Sequence, residues 1–383
     1  MRSDPHVSRG VARWTDAIFR PARPAARDGR LPVGVLPGEG IGPEVTAAAL
    51  AVLRALEPAG VRVDLSTGGP IGRDAELLSG RPLTDDVAAF CEGVFAAGGA
   101  VLAGAGGGRF VYDLRWRFDL FCKLSPLKPI EALRETGRLK AAGVDGADIL
   151  VVRENVGGEY LGQWRELSEG SAGRACEHSF RYSEAEVGRI LGVAARLAAA
   201  RRGRLAVVVK DAGLPAMSGL WRDVARAAAE SSGVGLRILD VDLAAYLLLQ
   251  EPLSFDVVAA SNLFGDILAD LGAVLLASRG VSFSGNFSED GAAVYQTNHG
   301  SALDLAGQDR ANPVGQIASA AMMLRESFGL AREAAWIEDA VAEVLASGCR
   351  TFDVGLPGST VVGTAELGRR IAAAVERRAR SAA

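Results

Sequence analysis

The chain has 383 residues, of which 49% are hydrophobic, and a formal net charge of −4. This length predicts two or three domains or one large α/β unit, with enough apolar residues for a sizeable core. Charges of both signs are spread along the chain, so nothing favours nucleic acid or a membrane surface as a partner. No apolar run approaches the roughly 18 residues of a membrane span. We therefore expect a protein with neither kind of partner.

Cysteine and histidine are too few and too scattered for a soft-metal site. The four cysteines form no CxxC pair, and the chain has three histidines. Neither a zinc site nor a disulfide framework is indicated, and a reduced, cytoplasmic setting is the default. Any bound metal should be a hard ion held by carboxylates.

Residues 1–30 are rich in arginine and lack the apolar core of a secretory signal. We interpret them as a poorly ordered N-terminal extension, with a targeting arm as the alternative.

From Leu31 onward, short apolar runs alternate with helical patterns. Strands are predicted at 32–36, 61–65, 100–103, 147–152, 205–209, 236–239 and 255–260. Helices are predicted at 43–56, 184–201, 219–231, 243–250, 314–328, 333–345 and 364–380. This alternation predicts an α/β fold with a mainly parallel sheet and helices on both faces.

The strongest chemical signal is the segment NLFGDILAD at 262–270, directly after a predicted strand. Ligands of α/β sheets bind beyond the carboxyl ends of strands. Asp266 and Asp270 are four residues apart and share one helix face, where two carboxylates repel each other unless a cation joins them. A divalent metal is therefore predicted here, with one capping and one solvated acid as the alternative.

Two glycine-containing segments are candidates for binding a nucleotide. The turn LPGEGIGPE at 36–44 lies between a strand and a helix but does not match GxGxxG, and a structural turn would need the same glycines. The polar loop at 299–313 contains Asp304, which can accept hydroxyls of an adenosine ribose and repel a 2′-phosphate. A simple capped loop is the alternative.

Three further residues can carry chemistry. Arg153, just after a predicted strand, can fork onto a carboxylate, and Tyr160, after a Gly-Gly bend, can protonate a carbanion. Lys210 ends an apolar strand, so desolvation is expected to lower its pKa toward use as a base. The alternatives are a surface arginine paired with Glu154, a half-buried tyrosine and a snorkelling lysine.

Taken in order, these motifs resemble the isocitrate/isopropylmalate dehydrogenase family of metal-dependent decarboxylating β-hydroxyacid dehydrogenases. The resemblance covers about residues 31–371 and rests on the segments LPGEGIGPEV, LRWRFDLFCKL, VVRENVGGEYLG, NLFGDILADLGAVL and HGSALDLAGQDRANP. It implies a two-domain fold that is not a Rossmann domain. A large cofactor-binding domain would comprise 31–120 plus 277–383, and a smaller one, 121–276, would carry the substrate and metal residues and the interface of a homodimer.

The resemblance also assigns roles to individual residues. Lys210 would be the base, Tyr160 the acid, and Asp266 and Asp270 ligands of Mg²⁺ or Mn²⁺, completed by the catalytic Asp242 of the other subunit. Arg115 and Arg153 would hold the substrate carboxylate. NAD would contact the set His299, Gly300, Asp304, Asn312 and Ile41, with aspartate at position 304 as in NAD-specific members.

Several positions depart from the family pattern. Ser125 stands where the family has a third clamping arginine, and the loop 106–113 introduces Arg109 with two aromatic residues, Phe110 and Tyr112. We therefore expect Arg109 and Ser125 to line a rebuilt pocket.

The predicted function is NAD-dependent oxidative decarboxylation of a small anionic malate-type 2-hydroxy acid, specialised for secondary metabolism. The alternatives are an ordinary isopropylmalate, homoisocitrate or tartrate-type dehydrogenase, oxidation without decarboxylation, and a non-catalytic regulatory subunit.

Overall fold

A computed structural model describes residues 13–19, 30–168 and 173–382. Its strands are β1 (Arg30–Leu36), β2 (Arg62–Thr67), β3 (Ala100–Ala103), β4 (Cys122–Leu127), β5 (Ile149–Glu154), β6 (Gln163–Ser168), β7 (Arg174–Ser179), β8 (Arg204–Val209), β9 (Gly235–Asp240), β10 (Val257–Ala260), β11 (Phe283–Phe287), β12 (Ala293–Thr297), β13 (Cys349–Arg350) and β14 (Thr360–Val361). Its α-helices are α1 (Gly42–Arg54), α2 (Arg73–Ser79), α3 (Asp85–Ala96), α4 (Phe110–Arg117), α5 (Ala141–Val144), α6 (Glu184–Ala200), α7 (Pro215–Ser232), α8 (Val241–Gln250), α9 (Asn262–Gly272), α10 (Val314–Phe328), α11 (Ala331–Ala346) and α12 (Thr364–Ala382).

One ten-stranded sheet runs through the molecule in the order β2-β1-β3-β12-β11-β4-β5-β10-β8-β9. Six of its nine strand pairs are parallel, and the three antiparallel pairs join β12, β11, β4 and β5 at the centre. The predicted α/β fold with a mainly parallel sheet is confirmed. The strands of 31–120 plus 277–383 lie on one side of the β11–β4 pair and those of 121–276 on the other, although the division into two domains stays a prediction.

The bounds of elements were predicted most accurately where the apolar pattern is uninterrupted, and β3 and α10 have the predicted bounds. The predicted strand at 147–152 lies two residues later, as β5, so Arg153 is inside its carboxyl end. The central strands β4, β11 and β12 were not predicted, because polar residues interrupt their apolar character.

Residues 13–19 are packed against the domain, although the whole of 1–30 was expected to be poorly ordered. Thr15 donates its backbone N–H to the buried Glu326 carboxylate (3.1 Å), and the Arg196 guanidinium donates to the Ala17 carbonyl (2.7 Å). These contacts give the segment a fixed position. Arg30 is the first residue of β1, and residues 1–12 and 20–29 of the predicted extension lie outside the described residues.

No helix in the described part of the chain is long and apolar enough to cross a membrane.

Candidate active site

Helix α9 holds the two aspartates of the predicted metal site. It begins directly after β10, where the Ser261 hydroxyl accepts the Phe264 N–H (3.4 Å). Gly265 brings this helix unusually close to β5, since a Cβ at that position would lie 2.8 Å from Arg153 Cβ and Cγ. The close approach places Asp266 over the Arg153 guanidinium, and the two form a salt bridge.

Arg153 is buried and does not pair with Glu154, so the surface-arginine alternative is wrong. Its Nε and Nη2 donate to Asn262 Oδ1 (3.0 and 2.6 Å), and Nη1 donates to Asp266. In this structure, these three bonds engage both edges of the guanidinium. Arg153 therefore positions Asp266 and does not offer a free fork.

Tyr160 lies beside the same carboxylate and donates its hydroxyl to Asp266 Oδ2 (3.0 Å). Burial and the neighbouring Asp266 raise the pKa of Tyr160, which keeps the phenol protonated. Burial acts to raise the pKa of Asp266 as well, but Arg153 and Lys123 outweigh it and the pKa is lowered. The result is a phenol that holds a proton next to an ionised carboxylate.

Asp270 follows one helical turn later and is paired with Arg279 (2.7 Å). Burial raises its pKa, while Arg279 opposes the rise. Two carboxylates on one helix face suit a hard divalent cation. Within the described residues, no third metal-ligating side chain of this chain joins them.

Lys210 and Asp242 form a second group, away from Asp266 and Asp270. Lys210 Nζ donates to Asp242 Oδ1 (2.8 Å) and lies 3.6 Å from Asp240 Oδ2. The hydrogen bond to Asp242 raises the pKa of Lys210, so the expectation of a lowered pKa is wrong for this state. Lys210 is half-buried, and Asp242 belongs to α8, a later element that the strand before Lys210 does not predict.

Two more basic side chains lie close enough to Asp266 to lower its pKa, and only one of them, Arg115, was predicted from the sequence. Arg115, on α4, is buried and its Nε has no hydrogen-bond partner among the described residues. Burial, followed by the charge of Arg153, lowers the pKa of Arg115 to about 9. The second is Lys123 of β4, also buried. The apolar/polar alternation of CKLS at 122–125 is the signal that predicts its orientation.

Arg109 and Ser125 occupy different surroundings. Arg109 lies over the rings of Trp164 and Tyr112 (4.8 and 5.4 Å to the ring centroids), and its Nη2 donates to the Tyr160 carbonyl (3.3 Å). It borders a cavity of about 380 Å³ that Trp164 also lines. Ser125 is fully buried within β4, opposite Val151.

The loop 299–313, which carries most of the predicted cofactor residues, contacts the turn before α1 that carries Ile41. Ile41 donates its N–H to the Ser301 carbonyl (2.9 Å), and a Cβ on Gly40 would lie 2.0 Å from that oxygen. Gly40 has φ +60°, so both space and backbone conformation favour glycine.

His299 offers an unused polar atom at this place. Its Nε2 is buried without a hydrogen-bond partner among the described residues, and burial lowers the pKa of the imidazole. Gly300 and Asp304 are exposed in the same loop. The neutral imidazole of His299 and the exposed carboxylate of Asp304 are groups that can hydrogen-bond to a nucleoside.

Asn312 is bound within the protein. Its side-chain amide donates to Asp353 (3.1 Å) and its Oδ1 accepts the Val314 N–H (3.0 Å). The amide therefore stabilises the start of α10 in this structure.

The chain matches one protein family over most of its length. A model of the family described as isocitrate/isopropylmalate dehydrogenase matches residues 32–371. The chain is 39% identical to a 3-isopropylmalate dehydrogenase of Anaeromyxobacter dehalogenans (strain 2CP-C), covering 88% of this chain and 98% of the relative. It is 38% identical to one of Gloeobacter violaceus, covering 91% and 99%.

A solved isocitrate dehydrogenase of Methylococcus capsulatus has a TM-score of 0.80 and 30% identity, covering 90% of this chain and 99% of that one. The TT0538 protein of Thermus thermophilus has the same TM-score with 26% identity, covering 92% and 70%. From the family model, the relatives and the fold together, the chain belongs to the isocitrate/isopropylmalate dehydrogenase family.

Proposed function

We propose that the protein catalyses NAD-dependent and divalent-metal-dependent oxidative decarboxylation of a malate-type 2-hydroxy acid. Family membership makes it a dehydrogenase acting on a CH–OH group. The observation that carries the finer proposal is the cluster in which Arg153 and Tyr160 both bind Asp266, beside the unpartnered Nε of Arg115. The protonated phenol of Tyr160, the ionised carboxylate of Asp266 and the unpaired guanidinium of Arg115 suit an anionic substrate whose carbanion must be protonated.

The metal would be held by Asp266 and Asp270, with Mg²⁺ or Mn²⁺ as suitable ions. When bound, the ion supplies stabilisation of negative charge on substrate oxygen. Arg153 keeps Asp266 ionised and in place, Arg115 attracts the substrate carboxylate, and Tyr160 holds a proton at Oη for the carbon that loses carbon dioxide.

NAD would lie between the turn at 38–43 and the loop 299–313, and it supplies hydride transfer when bound. The buried Nε2 of His299 is available to the adenine, and the exposed Asp304 carboxylate is available to the ribose hydroxyls. A carboxylate there repels the 2′-phosphate of NADP, which supports the choice of NAD.

Lys210 and Asp242 would serve the active site of a partner subunit in a homodimer. Among the described residues of one chain, Asp242 does not join Asp266 and Asp270 in a cluster of metal-ligating side chains and is paired with Lys210 instead, which supports this arrangement. Large apolar side chains are exposed on the adjacent helices α8 and α9, namely Leu243 (48%), Tyr246 (63%) and Ile267 (51%). Such a surface is typical of a protein–protein contact.

Ordinary isopropylmalate dehydrogenation is the second candidate, favoured by the 38–39% identity to enzymes of that name. The rebuilt loop with Arg109 and the serine at 125 favour a different substrate side chain. Oxidation without decarboxylation and a non-catalytic regulatory subunit are the further alternatives, and we propose a cytoplasmic setting and a secondary-metabolic role for the enzyme.

A steady-state panel separates these cases. Purified protein is assayed with isopropylmalate, isocitrate, homoisocitrate, tartrate and malate, each with NAD or NADP and with Mg²⁺, Mn²⁺ or EDTA, while carbon dioxide is measured. We expect metal-dependent NADH and carbon dioxide from a malate-type acid, with isopropylmalate a poor substrate. Isopropylmalate turnover at a kcat/KM of about 10⁴ M⁻¹s⁻¹ or more would refute the altered specificity. No NADH from any acid would favour the regulatory subunit.

A further inference from the structure

Lys123 stands in a row of polar residues that crosses the centre of the sheet. On β4 it is directly opposite Arg153 of β5 and Asn286 of β11. Directly opposed residues of antiparallel strands point to the same face, with Cβ atoms about 4.5–5.5 Å apart. Two buried cations, Lys123 and Arg153, are therefore side by side.

This row faces the helix that carries the candidate metal ligands. Gly265 of α9 packs on Arg153, and Gly272 of the same helix packs on Leu127, which shares its side of β4 with Lys123. Lys123 consequently lies under the first half of α9, level with Asp266. Its charge contributes to the lowered pKa of Asp266, which agrees with this placement.

The basic side chains near Asp266 outnumber the hydrogen-bond and salt-bridge partners that contact them. Arg153 is engaged by Asn262 and Asp266, whereas no side-chain hydrogen bond or salt bridge of Arg115 or Lys123 occurs among the described residues. Burial, and then Arg115 and Arg153, lower the pKa of Lys123 well below its ordinary value. Burial without a partner disfavours the charged form of both side chains, and an anionic ligand would stabilise it, so an anion is the partner that this arrangement lacks.

We propose that Lys123 and Arg115 together hold an acidic group of the substrate, and that Lys123 thereby selects hydroxy acids with a second anionic group. The inference rests on the proposed function for the identity of that substrate. Ser125 occupies the position of the family's third clamping arginine, but the same strand carries Lys123 two residues earlier on the same face. The anchor of that charge is therefore displaced by about 7 Å along the strand.

The replacement also changes how the anion is held. An arginine at position 125 would grip a carboxylate with two parallel hydrogen bonds, whereas an ammonium is a compact point charge. Lys123 therefore fixes the position of an acidic group without fixing its orientation. A substrate whose acidic group sits deeper toward β4 is favoured over one that needs a bidentate clamp at 125.

The competing role for Lys123 is a structural counter-ion of Asp266 and Asp270. The two roles predict opposite effects on the ligand-free protein. If Lys123 binds an anion only in the ligand complex, Lys123→Met removes a buried amine that has no partner in the ligand-free protein and raises the Tm. If Lys123 neutralises the aspartates, the same substitution leaves them unpaired and lowers the Tm.

The experiment compares Lys123→Met and Lys123→Arg with Lys128→Met, which removes an exposed lysine just beyond the same strand. Calorimetric binding of malate, with two carboxylates, and lactate, with one, is measured on the Mg²⁺-loaded protein without NAD, so that neither acid is oxidised during the titration. We expect wild type to prefer malate by about 30-fold or more, Lys123→Met to lose that preference, and Lys123→Arg to retain part of it. Lys128→Met should match wild type.

Equal malate affinity in wild type and Lys123→Met would overturn the inference, as would a lowered Tm of ligand-free Lys123→Met or a wild type with no preference for malate. The two proposals fail separately. Lys123-dependent malate binding without NADH formation would contradict the proposed function alone, whereas NADH formation with Lys123-independent binding would contradict only the role of Lys123.

Discussion

Gly265→Ala tests whether the close packing of α9 on β5 sets the geometry of the site. The new Cβ would lie 2.8 Å from both Arg153 Cβ and Cγ, and carbon atoms prefer about 3.5–4.0 Å. Those two atoms are near the backbone and cannot rotate away, so α9 must move outward by about 1 Å. The movement carries Asp266 away from the Arg153 guanidinium and the Tyr160 hydroxyl.

The expected loss is larger in activity than in stability. Overpacking destabilises by about 1–3 kcal/mol, while alanine in a helix returns about 1 kcal/mol relative to glycine. A displacement of about 1 Å at a reacting centre can lower activity by about 100-fold. We therefore expect a net destabilisation of about 0–2 kcal/mol and a fall of about 100-fold in kcat/KM.

The assay combines steady-state kinetics, Mn²⁺ titration and urea unfolding. Gly93→Ala is the matched control, because this exposed helical glycine of α3 has no atom within 4 Å of an added Cβ. It should be stabilised by about 0.5–1 kcal/mol with unchanged kinetics. If Gly265→Ala behaved like Gly93→Ala, the packing argument for Asp266 would be refuted.

Three further outcomes follow from single side chains. Asp304→Lys should shift the kcat/KM preference from NAD toward NADP by about tenfold or more, because a cation replaces a carboxylate that repels the 2′-phosphate. An unchanged ratio of the two kcat/KM values would show that Asp304 is not part of the cofactor site. Tyr160→Phe should lower turnover by about 10²–10⁴-fold while Mn²⁺ affinity changes little, because the proton donor is lost but the ring is kept; near-normal turnover would exclude the phenol as the acid. Burial raises the pKa of Glu326 to about 7. The folded state therefore keeps a proton that the unfolded state releases near pH 4.5, so the free energy of unfolding falls as the pH rises from 4.5 to 7. Glu326→Gln should remove a decline of about 3 kcal/mol between pH 4.5 and 7 in urea unfolding, whereas equal pH profiles would contradict the assignment.

The sequence was most informative where one local pattern determined the outcome. Helix spacing placed Asp266 and Asp270 on one face, and apolar runs located β3 and α10. The strand β4 was missed because lysine, serine and proline interrupt it, and their burial depends on strands far away in the chain. Lys123 was missed for the same reason, although the resemblance already included it.

Electrostatics was less predictable from sequence, because it depends on tertiary partners. The pKa of Lys210 was expected to fall with desolvation, but Asp242 comes from a later helix and raises it. Arg153 was expected to face a substrate, but α9 covers it with Asn262 and Asp266. In both cases the partner is near in space and remote in sequence.

The central claim is that each active site takes Asp266 from one subunit and Asp242 from its partner. Asp266→Asn and Asp242→Asn should each be inactive alone, and Asp242→Asn should keep NAD binding largely intact. Mixing the two after dissociation should restore about a quarter of wild-type activity, because a twofold heterodimer contains one site with both aspartates intact. Heterodimers that form and remain inactive would contradict the shared site.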